Sequence, residues 1–194
     1  MRRASEPYIS ANILGAIDAG VTTAIGPDWS PTGSTGMLQE LNFASRYNTT
    51  SLNHKISDAA LVAMATLNPA KLATVDSQFG SIEPGKMAGL VVMKRRGATA
   101  YESLLGAGPG DVMLVVVGGV PLYGDRGLMQ QLLSRATLEE LTMCGVPRAL
   151  HIATGPASWD SWTNVKKRLT GVMKPLGIAP PALVSCAAPT LPYQ

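Results

Sequence analysis

The sequence predicts an α/β fold, and two features of the chain support that prediction. The first is a short, β-branched apolar run, Val21 to Ile25, which lies between helical patterns. A buried strand with helices before and after it is the α/β arrangement. The second is a pair of apolar runs, Val112 to Val117 and Val120 to Tyr123, joined by Gly118-Gly119. Two glycines between such runs are typical of a β-hairpin.

Helical patterns surround the first predicted strand. The apolar positions of residues 9–17 repeat at helical spacing, and Gly20 is placed to end that helix. Met37 to Arg46 returns to the same spacing after a loop rich in Gly, Pro, Ser and Thr. Ser57-Asp58 is a good N-terminal cap for a helix over residues 59–67. We therefore expect helix, strand, loop and further helices.

The character of the chain changes near residue 76. Leu90 to Met93 reads as a strand that joins the later hairpin in a small β layer. Residues 125–135 and 137–143 read as helical or turn-like, and residues 159–172 as an amphipathic helix. After Lys174 prolines become frequent, and we expect an extended tail.

Composition excludes several classes of protein. Charged residues make up 15% of the chain against 46% hydrophobic ones, which argues against disorder and suggests apolar surface that meets a partner. The net charge is +3 and the basic residues are scattered, so we expect no nucleic-acid partner. No apolar run approaches the roughly 20 residues of a membrane span, so we expect no membrane partner either.

Cysteine and histidine are both scarce. Cys144 and Cys186 are far apart and form no CxxC spacing, so we expect reduced cysteines in a cytoplasmic protein. The first residues do not have the pattern of a signal peptide. The two histidines, His54 and His151, are too few for a complete multi-histidine metal site, and we interpret them as surface or core residues rather than ligands.

Asp28 is the residue whose position points most directly to chemistry. It follows the predicted strand in the run Ile25-Gly26-Pro27-Asp28, and functional groups of α/β folds gather at the carboxyl ends of strands. A carboxylate there binds a metal or takes a proton from water. The alternative from spacing alone is an aspartate that caps a turn or a helix.

Three segments of the chain resemble parts of one known family. They are residues 18–41, which include Gly26-Pro27-Asp28-Trp29-Ser30, residues 64–92, which include Asn68-Pro69-Ala70 and Gly80-Ser81-Ile82-Glu83-Pro84-Gly85-Lys86, and residues 115–124, which end in Pro121-Leu122-Tyr123-Gly124. In this order they resemble the amidohydrolase superfamily, and within it the cytosine-deaminase-like and chlorohydrolase-like metal-dependent hydrolases.

The resemblance implies a C-terminal fragment of a (β/α)8 metallo-hydrolase barrel with part of a small β-sandwich. On this basis residues 1–76 hold the last strand–helix unit or units of the barrel and residues 77–125 the C-terminal part of the sandwich. Residues 126–194 form a helical extension and a proline-rich tail. A full barrel needs about 250 residues, so we expect an N-terminal barrel portion to complete the fold.

The resemblance also implies a site. Asp28 would bind a divalent metal, zinc or iron, and help to deprotonate the attacking water, while Trp29 and Ser30 would line the pocket of a small-molecule substrate. The reaction would be hydrolysis of carbon–nitrogen (non-peptide) or related bonds. The family's His-x-His motif is absent, Pro27 replaces a common threonine and Gly89 replaces an aspartate. We therefore expect the chain alone to be inactive and to bind metal poorly.

Several alternatives stay open. Ser30, Thr32 and Ser34 could contact substrate or satisfy loop backbone groups, Trp29 could wall the pocket or pack under the loop, and Glu40 is expected to make a structural hydrogen bond. A strand removed from a closed barrel leaves unpaired edges, so a homo-oligomer is also expected. The competing function is a non-catalytic binding or interaction module derived from a truncated amidohydrolase.

Overall fold

A computed structural model of the chain describes residues 12–28, 34–151 and 161–178 together with Cys186. Within these residues, helices occupy the first part of the fold and a five-stranded antiparallel sheet lies in the second. This mixture of helices and sheet agrees with the predicted α/β class. Within the described ranges, no helix combines the length and hydrophobicity that crossing a membrane requires.

The described first part contains four helices: α1 (Ile13–Asp18), α2 (Met37–Thr50), α3 (Asp58–Ala65) and α4 (Leu67–Leu72). Side chains cap two of them, since Asn12 Oδ1 accepts from the Gly15 amide at 3.0 Å and Ser57 Oγ accepts from the Ala60 amide at 3.2 Å. Gly20 follows α1 with a φ of +73°, the left-handed conformation that favours glycine after a helix. The first predicted helix is confirmed as α1, although residues 9–11 of its pattern lie outside the described residues, and the helix predicted from Met37 is confirmed as α2. The helix predicted over residues 59–67 has the expected cap at Ser57 but ends at Ala65, and α4 follows it.

The helices pack around a small apolar core. Its buried members are Leu41, Ile56, Leu61, Met64 and Leu105. Leu105 comes from α5 (Ala100–Leu105), a short helix that begins with a reciprocal capping box between Thr99 and Glu102. Because α5 contacts both α2 and α3, it joins the sheet part of the chain to the helical part.

A buried asparagine holds the turn between α2 and α3. The Asn48 amide donates to the Ile56 carbonyl at 2.7 Å and its oxygen accepts from the Ile56 amide at 3.0 Å. The turn itself passes through Asn53 and His54, both at positive φ. Both polar ends of Asn48 are therefore satisfied inside the core, and the turn is fixed in one conformation.

The sheet contains the described strands β1 (Leu90–Met93), β2 (Val112–Val117), β3 (Val120–Asp125), β4 (Leu138–Met143) and β5 (Val146–His151). The spatial order is β1-β2-β3-β5-β4, and every neighbouring pair is antiparallel. Gly118 and Gly119 connect β2 to β3 with φ values of 57° and 83°. Two successive positive φ angles are what a tight hairpin turn demands, so the predicted hairpin is confirmed.

The predicted strand at Val21 to Ile25 is not formed. Residues 21–28 form neither helix nor strand and belong to no sheet, and Val21 is 56% exposed rather than buried. A strand is defined by its ladder of hydrogen bonds, and no other strand of the described chain lies beside this segment. The β-branched composition is correct for a strand, but the partner that would make one is absent from these residues.

The helical or turn-like interpretation of residues 137–143 is wrong over most of its length. Residues 135–137 form a 3-10 turn, but β4 then pairs with β5 from Leu138↔His151 to Met143↔Val146. Cys144 and Gly145 connect the two strands at φ values of 51° and 77°, again a tight hairpin. The Leu-Glu-Glu-Leu spacing of this segment fits a helix equally well, and the long-range pairing with β5 decides between the two.

The prediction of reduced cysteines is also wrong, because Cys144 and Cys186 form a disulfide with a Cα–Cα distance of 5.4 Å. The bond links the β4–β5 turn to the C-terminal segment, 42 residues further along. The positions of the two cysteines in the sequence do not predict that they lie close together in the fold. The cytoplasmic location inferred from reduced cysteines therefore loses that support.

Two further helices agree with the sequence patterns. The first, α6 (Arg126–Leu132), lies within the predicted residues 125–135, and the second, α7 (Trp162–Met173), within the amphipathic stretch, whose start at residue 159 is outside the described residues. The extended tail predicted after Lys174 is contradicted at its start, since Lys174–Leu176 form a 3-10 turn.

Asp111 links the sheet to the loop before α5. Its carboxylate accepts hydrogen bonds from the Gly108 amide and from Arg96 Nε, and the residue is 7% exposed. Burial acts to raise the pKa of Asp111, but the Gly108 bond and the bond and charge of Arg96 outweigh it, so the pKa is lowered from 3.8. A carboxyl with a lowered folded-state pKa stabilises the fold above its ordinary pKa and loses that contribution in acid.

Asp111→Asn is therefore expected to reduce the free energy of unfolding by about 2 kcal/mol at neutral pH, the scale of charge-assisted hydrogen bonds. Urea unfolding measured at neutral pH and near pH 3 should show the wild type losing more stability in acid than the variant does. Asp76→Asn changes a half-buried turn residue that has no ion pair or hydrogen bond with another described residue. It is the control and should shift stability by no more than about 0.5 kcal/mol. An Asp111→Asn variant with the wild-type acid response would contradict this assignment.

Candidate functional site

The segment Val21–Asp28 lies along the helical part and is held there at three points. The Val21 amide donates to the Ala16 carbonyl at 2.9 Å and the Ile25 amide to the Met64 carbonyl at 2.9 Å. Between them, Asn68 Nδ2 donates to the Thr23 carbonyl at 2.8 Å. The Ile25 side chain packs against the helical core. The backbone leading to Asp28 is therefore anchored to α1, α3 and α4.

Asn68 is a positioning residue that the sequence analysis missed. The Asn68-Pro69 pair reads only as a helix boundary, yet the amide side chain reaches 45 residues back to Thr23. The available signal was the motif Asn68-Pro69-Ala70 itself, because a local break does not require an asparagine at that position.

Asp28 is the last residue of the segment Val21–Asp28, and it is exposed. Within the ranges that the structure describes, its carboxylate takes part in no salt bridge or hydrogen bond, so it caps neither a turn nor a helix there. Trp29, Ser30 and Thr32 lie outside the described residues, and so do their predicted contacts with substrate.

The end of the loop is organised by the first turn of α2. Ser34 Oγ donates to the Glu40 carboxylate, and the Thr35 amide and hydroxyl both donate to Gln39 Oε1, at 2.8 and 2.9 Å. The structural hydrogen bond expected of Glu40 is confirmed, and Ser34 serves the loop in the same contact. These bonds fix where the loop rejoins the helical part after Asp28.

An open cleft of about 780 Å³ lies beside the segment Val21–Asp28. Its walls come from α1, residues 20–23, the turn before α3, and α3 and α4. Apolar side chains such as Val21 and Met64 form much of the surface, with Lys55, Lys71 and Asn68 as polar members. Asp28 is not among the lining residues, so the cleft and the predicted ligand are separate features of this segment.

The histidines lie where a ligand role is not supported. His54 is exposed in the α2–α3 turn. His151 is 7% exposed in β5, and its Nδ1 lies 3.1 Å from the Pro121 carbonyl. The interpretation of one surface and one satisfied core histidine is confirmed. Across residues 12–28, 34–151, 161–178 and Cys186, no group of three or more His, Cys, Asp or Glu side chains is placed to hold a metal ion.

Comparison with known proteins identifies the family. The model described as "Amidohydrolase family" matches residues 9–122, more than half of the chain, and the match includes Asp28, the cleft and the first hairpin as far as residue 122. The chain belongs to the amidohydrolase family. The resemblance seen in the three sequence segments is confirmed at this level.

Two curated relatives of this amidohydrolase illustrate how much of the family the chain covers. It is 30% identical over 123 residues to the 5-methylthioadenosine/S-adenosylhomocysteine deaminase of Symbiobacterium thermophilum, which is 55% of this chain and 27% of that protein. It is 37% identical over 75 residues to the urease subunit alpha of Natronomonas pharaonis, 39% of this chain and 11% of that protein. The chain thus corresponds to about a quarter or less of each relative.

Proposed function

We propose that this chain supplies the C-terminal part of a metal-dependent hydrolase that cleaves carbon–nitrogen bonds, with Asp28 as a carboxylate of its catalytic centre. Membership of the amidohydrolase family supports the hydrolase class. The two relatives are named a deaminase and a urease subunit, and both names denote removal of nitrogen from carbon. The observation that carries the proposal is the anchored segment that ends in Asp28, whose carboxylate is exposed and pairs with no other described residue.

The described residues do not fit a divalent metal by themselves. Catalytic zinc sites use about three protein ligands, whereas Asp28 has no histidine, cysteine or second carboxylate grouped with it in the described chain. The zinc or iron expected from the resemblance therefore needs ligands from an N-terminal barrel portion. Asp28 would supply one carboxylate, and a carboxylate so placed accepts a proton from the attacking water and returns it to the leaving nitrogen.

The backbone of the same segment supports a missing barrel portion. Its hydrogen bonds to other described residues involve only Val21, Thr23 and Ile25, and none of them runs to a strand. Unpaired amide and carbonyl groups along an extended segment are a template for a neighbouring strand. In this proposal residues 1–76 complete the barrel, residues 77–125 complete the small β-sandwich, and the substrate is a small molecule bound between the two portions of the barrel.

A chimera tests the role of Asp28. The segment of the Symbiobacterium deaminase that aligns with this chain would be replaced by the corresponding residues of this chain. We expect the chimera to retain bound metal and to release ammonia from its substrate. Asp28→Asn should lower the rate of ammonia release by at least about 100-fold, because general base catalysis contributes on the order of 100- to 10,000-fold.

The controls separate chemistry from folding. Asp76→Asn removes a carboxylate from the turn after α4, away from Asp28 in sequence, and should leave the rate within about twofold. Circular dichroism reports the fold of each variant. The isolated 194-residue chain should show no tight, stoichiometric zinc binding by calorimetry. A folded chimera that holds no metal, or an active Asp28→Asn chimera, would contradict the proposal and favour the non-catalytic interaction module.

A further inference from the structure

Helix α7 is attached to the sheet by its N-terminal end. The Glu139 carboxylate, on β4, accepts hydrogen bonds from the Trp162 amide at 2.9 Å and from the Thr163 amide and hydroxyl at 3.1 and 3.2 Å. A carboxylate at this end is favoured by the helix dipole. The attachment therefore sets where α7 begins, and none of the helix's twelve residues is fully buried.

The apolar residues of α7 form a single stripe. They recur every three or four residues, and at about 100° per residue they cover one side of the helix. Beyond the first turn this side of α7 is exposed, with Leu169 at 52% and Val172 at 69%. Two more exposed apolar side chains follow the helix: Leu176 (68%) in the Lys174–Leu176 turn and Ile178 (50%) after Gly177. We call these four residues the α7 stripe. Such continuous apolar exposure marks a surface that meets another apolar phase.

The charges around the stripe are all positive. Residues 161–178 contain Lys166, Lys167, Arg168 and Lys174 and no acidic residue, although the net charge of the whole chain is only +3. The rest of the chain is therefore slightly negative, and the positive charge is concentrated on this helix. On the helical projection Lys166 and Arg168 fall on opposite sides of the stripe. Lys166, Lys167 and Lys174 are exposed and belong to none of the ion pairs found among the described residues.

We propose that α7 binds the surface of a membrane that contains anionic phospholipids. A helix with cations flanking an apolar stripe lies in the plane of the interface, with the stripe among the acyl chains and the cations at the headgroups. The positive charges are distributed along α7 rather than gathered at one point. They therefore match the diffuse negative charge of a lipid surface better than a single protein pocket. The expectation of no membrane partner rested on the lack of a spanning segment, and binding at the surface does not need one.

Vesicle co-sedimentation of the purified chain tests this proposal. Vesicles of phosphatidylcholine with about one-third phosphatidylglycerol should bind the chain at least about tenfold better than phosphatidylcholine alone. The double substitution Lys166→Gln/Arg168→Gln should weaken binding on the order of 30-fold, since each cation near an anionic surface contributes about fivefold. Leu169→Gln/Val172→Gln should weaken it at least about tenfold through loss of apolar burial.

Two control variants match these changes elsewhere on the surface. Ile82→Gln alters an apolar side chain that is 88% exposed, and Arg95→Gln/Arg135→Gln removes two exposed cations, so neither should reduce binding by more than about twofold per residue changed. Equal binding to neutral and anionic vesicles would overturn the proposal. It would also be overturned if the stripe variant bound like wild type, or if the chain ignored vesicles and sedimented as a dimer that Leu169→Gln/Val172→Gln dissociates.

Discussion

Replacing Cys144 with serine is expected to lower the free energy of unfolding by about 4 kcal/mol, the largest effect of any single change proposed for this chain. The disulfide with Cys186 closes a loop with a sequence separation of 42 residues, which includes β5 and α7. Without the bond the unfolded chain regains the conformational entropy of that loop. Urea denaturation followed by circular dichroism under non-reducing conditions measures the change.

Reduction provides the matched control for this prediction. Wild-type protein treated with dithiothreitol should unfold at the same urea concentration as Cys144→Ser, and Cys144→Ser should itself be insensitive to the reductant. Cys186→Ser should behave in the same way, because either thiol alone leaves the loop open. If oxidised wild type and Cys144→Ser unfold together, the disulfide does not stabilise the fold. The same comparison on non-reducing gels shows whether the bond forms.

Arg148→Met is expected to reduce the free energy of unfolding by about 3 kcal/mol, because it removes a buried cation that joins β5 to β3 and to the turn before β2. Arg148 is 3% exposed and lies opposite Asp125 in the β3–β5 register. Its guanidinium donates to Asp125 Oδ2 at 3.0 Å and to the Gly110 carbonyl at 2.7 Å. Methionine keeps much of the aliphatic volume but leaves both acceptors without their donor.

Two features keep the expected loss of unfolding free energy near the lower end of the range for a broken buried ion pair. The Asp125 side chain is 43% exposed, so water can solvate part of the carboxylate that is left behind. Arg148 Nε is buried without a hydrogen-bond partner among the described residues, so its removal also relieves a desolvation cost.

Burial raises the pKa of the neighbouring Tyr123, and the charge and hydrogen bond of Arg148 act in the opposite direction. Arg148→Met should therefore raise the pKa of Tyr123 further.

Arg126→Met is the control for Arg148→Met. Arg126 pairs with Glu140 at 3.1 Å, but both side chains are about half exposed, at 47% and 55%. Exposed pairs contribute at most about 1 kcal/mol, so urea unfolding should separate the two variants clearly. In a double-mutant cycle, Asp125→Asn/Arg148→Met should lose less than the sum of its single changes. Equal losses for Arg126→Met and Arg148→Met would show that burial adds nothing to the Arg148 contacts.

Elements whose signals are local were predictable from the sequence. The cap at Ser57, the end of α1 at Gly20 and the Gly118-Gly119 hairpin all depend on one or two residues with a fixed conformational preference. The motifs also predicted the amidohydrolase family, which the match over residues 9–122 confirms. The same motifs singled out Asp28, and its catalytic role stays a prediction until the chimera is tested.

Elements that depend on distant partners were not predictable. Val21 to Ile25 has the composition of a strand but no strand to pair with in the described chain, and β4 has a helical spacing that pairing with β5 overrides. Cys144 and Cys186 form a disulfide although 42 residues separate them in sequence. The number of residues between two positions does not predict such contacts. A strand ladder or a disulfide forms only when both partners come together in the folded chain.

Asp28 shows the same division between local pattern and long-range structure. Its surrounding motif was enough to indicate the family and a carboxylate at the end of an apolar segment. Only the folded chain shows that α1, α3 and α4 hold this segment through Ala16, Met64 and Asn68, and that the carboxylate is exposed without a partner among the described residues. The physical reason is that residue type sets local conformation and chemistry, whereas the neighbours of a side chain come from contacts between residues far apart in sequence.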